Sequence, residues 1–137
     1  MNIDLKNKLA LISGGATGIG KGIAQALVAS NARVIITTRN KKKLIETLNM
    51  LGKNAHGYCL DLTKTKDINT LYNKIKKKFG TIDILINNIG HTLNIKNPFA
   101  PAKDWQDVIN VNFLTTVNLT NKFINDMKKK NWGRIIN

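Results

Sequence analysis

Short apolar runs alternate with amphipathic helical stretches along the whole chain, and this alternation limits the folds open to it. Residues 8–13 (Lys-Leu-Ala-Leu-Ile-Ser) read as a buried strand running into a glycine-rich turn, after which Ile19, Ile23, Ala26 and Leu27 recur at helical spacing. Residues 33–38 (Arg-Val-Ile-Ile-Thr-Thr) are a β-branched strand. Leu44, Ile45, Leu48 and Leu51 then form one helix face, closed by Gly52. A weaker third strand spans 55–60, and Thr65 is placed to cap a helix whose face is Ile68, Leu71, Tyr72, Ile75 and Phe79, ending at Gly80. Residues 82–86 are a fourth strand, 104–129 one long helix, and 134–136 the start of a fifth strand. Apolar strands alternating with amphipathic helices require a parallel sheet covered on both faces, and right-handed crossovers make it doubly wound. The expected fold is α/β and Rossmann-like, a single domain over residues 1–137 that stops at the start of its fifth strand.

Composition narrows the function classes. The one cysteine, Cys59, excludes a disulfide framework and a cysteine-based metal cluster, and His56 and His91 lie too far apart for a helical metal pair, so no metal site is expected. No apolar stretch approaches the roughly 18 residues of a membrane span, and the first residues lack the order of a signal peptide. A cytoplasmic protein with no membrane partner is expected. The net charge of +14 lies in nucleic-acid territory. However, lysine comes with an excess of asparagine and isoleucine, as an A- and T-rich coding sequence would give. The triplets 76–78 and 128–130 fall at helix C-termini, where cations complement the macrodipole, and no aromatic residues interleave to stack bases. The charge is therefore assigned mainly to solvated helix ends, with a nucleic-acid partner as the remote alternative.

The chemistry is concentrated after the first strand, in Ser13-Gly14-Gly15-Ala16-Thr17-Gly18-Ile19-Gly20. A turn between a parallel strand and its helix aims backbone N–H groups and the positive helix end at an anion. Gly14, Gly18 and Gly20 permit a tight turn, close approach of phosphate and close helix–strand packing. Dinucleotide binding is the expectation; a glycine-rich turn without a ligand is the alternative. At the end of the second strand, Thr37-Thr38-Arg39-Asn40 offers no carboxylate for ribose hydroxyls but a guanidinium able to hold a 2′-phosphate, so NADP is expected ahead of NAD.

The Gly-x-x-x-Gly-x-Gly spacing, Asp61-Leu62-Thr63 after the third strand and Asn87-Asn88-Ile89-Gly90 after the fourth together resemble the short-chain dehydrogenase/reductase family. Lys103-Asp104-Trp105 leading to Ile109-Asn110-Val111-Asn112 resembles its active-site helix. Trp132-Gly133-Arg134-Ile135-Ile136-Asn137 resembles the segment before its catalytic serine, so the likeness runs from Leu5 to Asn137. Ile89 departs from the pattern, which mostly has alanine there. The resemblance implies an oxidoreductase acting on a small carbonyl or alcohol, and homo-oligomers in the full-length family. It implies that Gly14, Gly18 and Gly20 line the pyrophosphate turn, with Thr17 and the Ile19 backbone touching the cofactor. Asp61 would accept from the adenine amino group beside the Leu62 amide, or alternatively cap the next helix. Asn88 and Gly90 would border the adenosine ribose, and Asn87 would tie strand four to its neighbour. Asn112 would be the catalytic asparagine, in a locally distorted helix.

The family's serine would fall just beyond Asn137 and its Tyr-x-x-x-Lys pair further on. Tyr72-Asn73-Lys74-Ile75-Lys76 matches that pair literally, but it lies on a helix whose apolar face uses the tyrosine. A tyrosine of lowered pKa and a carbonyl-positioning serine carry the proton chemistry, so these 137 residues alone are expected to bind cofactor without turnover. The runner-up is a non-catalytic dinucleotide-binding or interaction remnant. The stub at 134–137 is expected to leave strand four short of a partner, and Val108, Val111, Leu114 and Val117 short of packing.

Overall fold

The computed structural model describes residues 3–137. Five parallel strands, β1 (Leu9–Ile12), β2 (Arg33–Thr38), β3 (Ala55–Cys59), β4 (Ile84–Ile86) and β5 (Arg134–Ile136), lie in the order β3-β2-β1-β4-β5. Helices α1 (Gly18–Ala29), α2 (Lys41–Leu51), α3 (Thr65–Phe79), α4 (Ala102–Ile109) and α5 (Thr115–Lys129) connect them. No helix among the described residues is long and apolar enough to cross a membrane.

The strands read as unbroken apolar runs because both faces of the sheet are covered. Leu9, Leu11, Ile35 and Leu85 point to one face, against Leu71 and Ile75 of α3 and Leu119 and Phe123 of α5. Ala10, Ile12, Val34, Ile36 and Ile86 point to the other, against Ala24 of α1 and Leu44 and Leu51 of α2. Successive residues of one strand thus feed two cores, as the alternation of a pleated strand requires.

The structure corrects several details of the sequence reading. The stretch 104–129 is not one continuous helix but two joined by a π turn at Asn110–Leu114, where the resemblance implied a local distortion around Asn112. Helix α1 does not bury Ile19, which is 78% exposed; Gly20 and Ala24 are its buried residues, and Ile23, Leu27 and Val28 pack against the core partly buried. Thr65 is not the cap of α3: it is the first helical residue, and the preceding Lys64 makes no side-chain cap. The Asp67 carboxylate in the first turn accepts the Asp61 N–H at 2.9 Å and ties the helix start to the loop before it. Strand β4 is not left short of a partner, because all three of its residues pair with Arg134, Ile135 and Ile136. Val108, Val111, Leu114 and Val117 are indeed not buried, and the core face of α5 is Thr115, Leu119, Phe123 and Met127.

The Tyr72-x-x-x-Lys76 match is a clasp between α3 and α5. The Tyr72 hydroxyl and the Lys76 ammonium both donate to Asp126 Oδ2, each at 2.9 Å. The Lys76 contact, and after it the Tyr72 hydrogen bond, outweigh partial burial and hold the Asp126 carboxyl below its ordinary value. A carboxyl lowered by folding contributes stability above its unfolded value and loses it as pH falls through the folded one. Melting temperatures taken from pH 6 down to pH 3 should therefore decline less steeply for Asp126→Asn than for the unaltered chain. Parallel declines would show that the clasp adds nothing to acid sensitivity.

Candidate functional site

The sheet order places a switch point between β1 and β4. The chain runs outward from β1 through β2 to β3, then crosses back to lay β4 on the other side of β1. In such sheets ligands bind beyond the carboxyl ends of the strands at this point. A cavity of about 510 Å³ lies there. Gly14, Thr17, Gly18, Ile19, Arg39, Asp61, Leu62, Asn88 and Gly90 all line it, so residues spread over 77 positions of sequence meet in one cleft.

The glycine turn forms the middle of the cavity. Gly14 and Gly18 have φ of +66° and +51°, a region in which side chains are strained. Gly20 lies behind the cavity wall, where a Cβ would stand 2.4 Å from the Gly14 carbonyl oxygen and 2.5 Å from Asn88 Nδ2. Asn88 donates from Nδ2 to the carbonyls of Ser13 and Gly14, at 3.1 and 3.2 Å. The Ser13 hydroxyl donates to the Ile86 carbonyl and accepts from the Asn88 and Ile89 amides. Asn88 therefore holds the glycine turn against the end of β4, besides lining the cavity. Ser13, 1% exposed, is a pin that the sequence reading passed over. Thr17, the residue before α1, makes no side-chain cap and lines the cavity.

At the β2–β3 end, Arg39 also borders an adjoining basin of about 620 Å³ with Lys41 and Lys43. The Asn40 side chain starts α2 by accepting from the Lys43 amide at 3.0 Å, which places these lysines in its first turn. The sequence shows no acidic group beside Arg39, but the fold brings one across from β3, since Arg39 acts electrostatically on Asp61. Partial burial would raise the Asp61 carboxyl; hydrogen bonds from Thr63 Oγ1 and N, then Arg39 and Lys64, outweigh it and hold the carboxyl below its ordinary value. Asp61 thus closes the turn that leads into α3 while also lining the cavity. Leu62 is a core residue, 2% exposed.

At the β4 end, Asn112 does not itself line the cavity. Its Oδ1 accepts from the His91 amide at 3.0 Å, and its Nδ2 donates to the carbonyls of His91 (2.9 Å) and Val108 (2.8 Å). The side chain takes over backbone hydrogen bonding where the π turn interrupts the helix, and Thr115 Oγ1 donates to the Asn110 carbonyl. Asn87 ties β4 to β5, its amide accepted by Asn137 Oδ1 at 2.8 Å and Thr120 Oγ1 at 3.2 Å.

Comparison with known proteins agrees with this fold. The family model described as short chain dehydrogenase matches residues 8–137. The chain belongs to the short-chain dehydrogenase family. Among curated relatives, it is 36% identical over 141 residues to the 3-oxoacyl-(acyl-carrier-protein) reductase FabG of Aquifex aeolicus, covering 100% of this chain and 57% of the relative. It is 35% identical over 133 residues to FabG of Haemophilus influenzae, covering 97% and 55%. The chain spans about half the length of the curated relatives it matches. Among solved structures, the L-sorbose reductase of Gluconobacter frateurii, determined with NADPH and L-sorbose, superposes with a TM-score of 0.90 at 24% identity, covering 98% of this chain and 53% of that one. A short-chain dehydrogenase from Streptomyces avermitilis superposes with a TM-score of 0.87 at 25% identity, covering 93% and 47%. This short-chain dehydrogenase chain therefore carries the doubly wound sheet of its relatives.

Proposed function

We propose that the cavity is an NADP(H) site and that the chain supplies the cofactor-binding portion of a carbonyl reductase or alcohol dehydrogenase. The observation that carries this is the basic end of the cavity, where Arg39, Lys41 and Lys43 adjoin a glycine turn at the switch point. The fit is supported by Thr37: its hydroxyl is buried without a protein partner among the described residues, and Thr37 lines the cavity. A buried hydroxyl left unpaired is costly, and a ligand or ordered water offers it a partner.

In this reading Arg39 holds a 2′-phosphate, Asp61 accepts from the adenine amino group and the Leu62 backbone lies beside it. Gly14, Thr17, Gly18 and Ile19 surround the pyrophosphate at the positive end of α1. Gly20 lets α1 approach closely enough for this. Asn88 and Gly90 border the adenosine ribose. When bound, a nicotinamide dinucleotide supplies hydride-transfer chemistry. Asn112 acts as a positioning residue, fixing the loop after β4 through the His91 backbone. The relatives named as 3-oxoacyl reductases favour a ketone as the substrate class. Exposed Phe99 in the loop before α4, Trp105 of α4 and Phe113 of the π turn favour association with further protein surface.

Calorimetric titration tests the cofactor assignment. The unaltered chain should bind NADP(H) more tightly than NAD(H), and Arg39→Asp should reverse the order. The lost charge-assisted contact is worth about 1.5–3 kcal/mol, roughly tenfold to 150-fold in affinity. Equal affinities in the unaltered chain would refute the role given to Arg39.

A further inference from the structure

We propose that His91 is a further ligand-contacting residue of this site, a fixed hydrogen-bond donor to an acceptor oxygen of the nicotinamide riboside. The proposal rests on the dinucleotide reading above. If Arg39 takes the 2′-phosphate beside β2 and the glycine turn takes the pyrophosphate beyond β1, the strand order sends the nicotinamide half past β4. Gly90, His91, Leu93 and Val111 line the cavity at that end.

Three features hold the imidazole ready. The His91 backbone is clamped on both sides by the Asn112 carboxamide, which accepts from its N–H and donates to its carbonyl. Its Nδ1 accepts the Leu93 N–H at 2.7 Å. That contact assigns the proton of the neutral ring to Nε2, because the nitrogen that accepts must offer its lone pair. Among the described residues, Nε2 has no protein partner. The loop that supplies the Leu93 N–H is also unusual, since Leu93 and Asn94 stand in succession at φ of +56° and +62°. Two adjacent non-glycine residues in this region are strained, and such strain persists where surrounding contacts hold it and tends to cluster at ligand sites. The ring is thus held by its own loop, with one donor left over on a residue that lines the cavity.

The test compares NADPH with 2′,5′-ADP, which lacks the nicotinamide riboside, by titration of the unaltered chain and of two variants. Asparagine at 91 can still accept the Leu93 N–H through a short local turn but offers no donor at the distal position. His91→Asn should weaken NADPH about fivefold to tenfold, the range a neutral hydrogen bond gives, and leave 2′,5′-ADP within about twofold. His91→Gln, which keeps a distal N–H, should hold NADPH near its unaltered affinity. Unchanged NADPH binding in His91→Asn, or equal weakening of both probes, overturns the role of His91 while leaving the dinucleotide reading intact. Failure of 2′,5′-ADP to bind the unaltered chain overturns that reading, and this proposal with it.

Discussion

Gly20→Ala should melt at lower temperature than the unaltered chain and lose dinucleotide binding, although alanine is the better helix former. In an exposed helix the exchange gains about 1 kcal/mol. Here the new methyl would stand 2.4 Å from the Gly14 carbonyl oxygen and 2.5 Å from Asn88 Nδ2. Neither neighbour is a flexible side-chain end: one is backbone, and the other is tied to two carbonyls. Relief requires α1 to move off the sheet or Asn88 to give up its hydrogen bonds. Overpacking costs about 1–3 kcal/mol and each lost hydrogen bond about 0.5–1.5 kcal/mol, so the clash outweighs the propensity gain. Gly22, two residues on in the same helix, has no atom within 4 Å of its Cβ position. Gly22→Ala should therefore stabilise by up to about 1 kcal/mol. Thermal melts of the two variants should move in opposite directions; a rise at position 20 would show that the close approach does not exist.

Asp83→Ala should be among the most destabilising single changes in the chain. The Asp83 carboxylate is 2% exposed and has two partners: Oδ2 accepts the Leu9 N–H at 2.8 Å, and Oδ1 accepts from the Lys130 ammonium. Its backbone, just before β4, bridges β1 and β5, its N–H donating to the Leu9 carbonyl and its carbonyl accepting from the Arg134 N–H. The residue therefore sets where β1, β4 and β5 begin. Removing one partner of a buried ion pair costs about 3–5 kcal/mol. The Lys130 side chain is 45% exposed and can turn to water, which puts the expected loss at the lower end, about 3 kcal/mol. Lys130→Met should cost far less, because the Leu9 N–H keeps its acceptor. Chemical denaturation of both variants checks this, and similar losses would mean that the ammonium, not the Leu9 contact, carries the interaction.

The elements at the centre of the sheet were legible because their sequence signals have one physical reading. Val34, Ile35 and Ile36 are β-branched or apolar at every position, which only a strand buried on both faces tolerates. Gly14 and Gly18 proved to need the backbone freedom that their spacing suggested, with φ of +66° and +51°. Asn87 ties β4 to β5 as the resemblance implied. Other features had no such local signature. The π turn at Asn110–Leu114 lies inside a continuous amphipathic pattern that by periodicity reads as one helix; the resemblance implied a distortion at Asn112, and the hydrogen bonds of Asn112 and Thr115 show its form. Ile19 has the spacing of a core residue and yet is exposed, because the buried stripe of α1 runs through Gly20 and Ala24 and leaves Ile19 at the cavity instead.

Periodicity and glycine placement act over a few neighbouring residues, so the strands, most of the helices, their parallel arrangement and the position of the glycine turn could be read locally, while the break within 104–129 could not be read from periodicity. Which distant groups share a cleft depends on how the elements pack together. That packing brought Asp61 within electrostatic reach of Arg39, set Ser13 against Asn88, turned Tyr72 and Lys76 onto Asp126 and closed Asn112 around His91. These pairings depend on how strands stack side by side at a spacing of about 4.8 Å and on how closely each helix can approach them, quantities that no local pattern encodes.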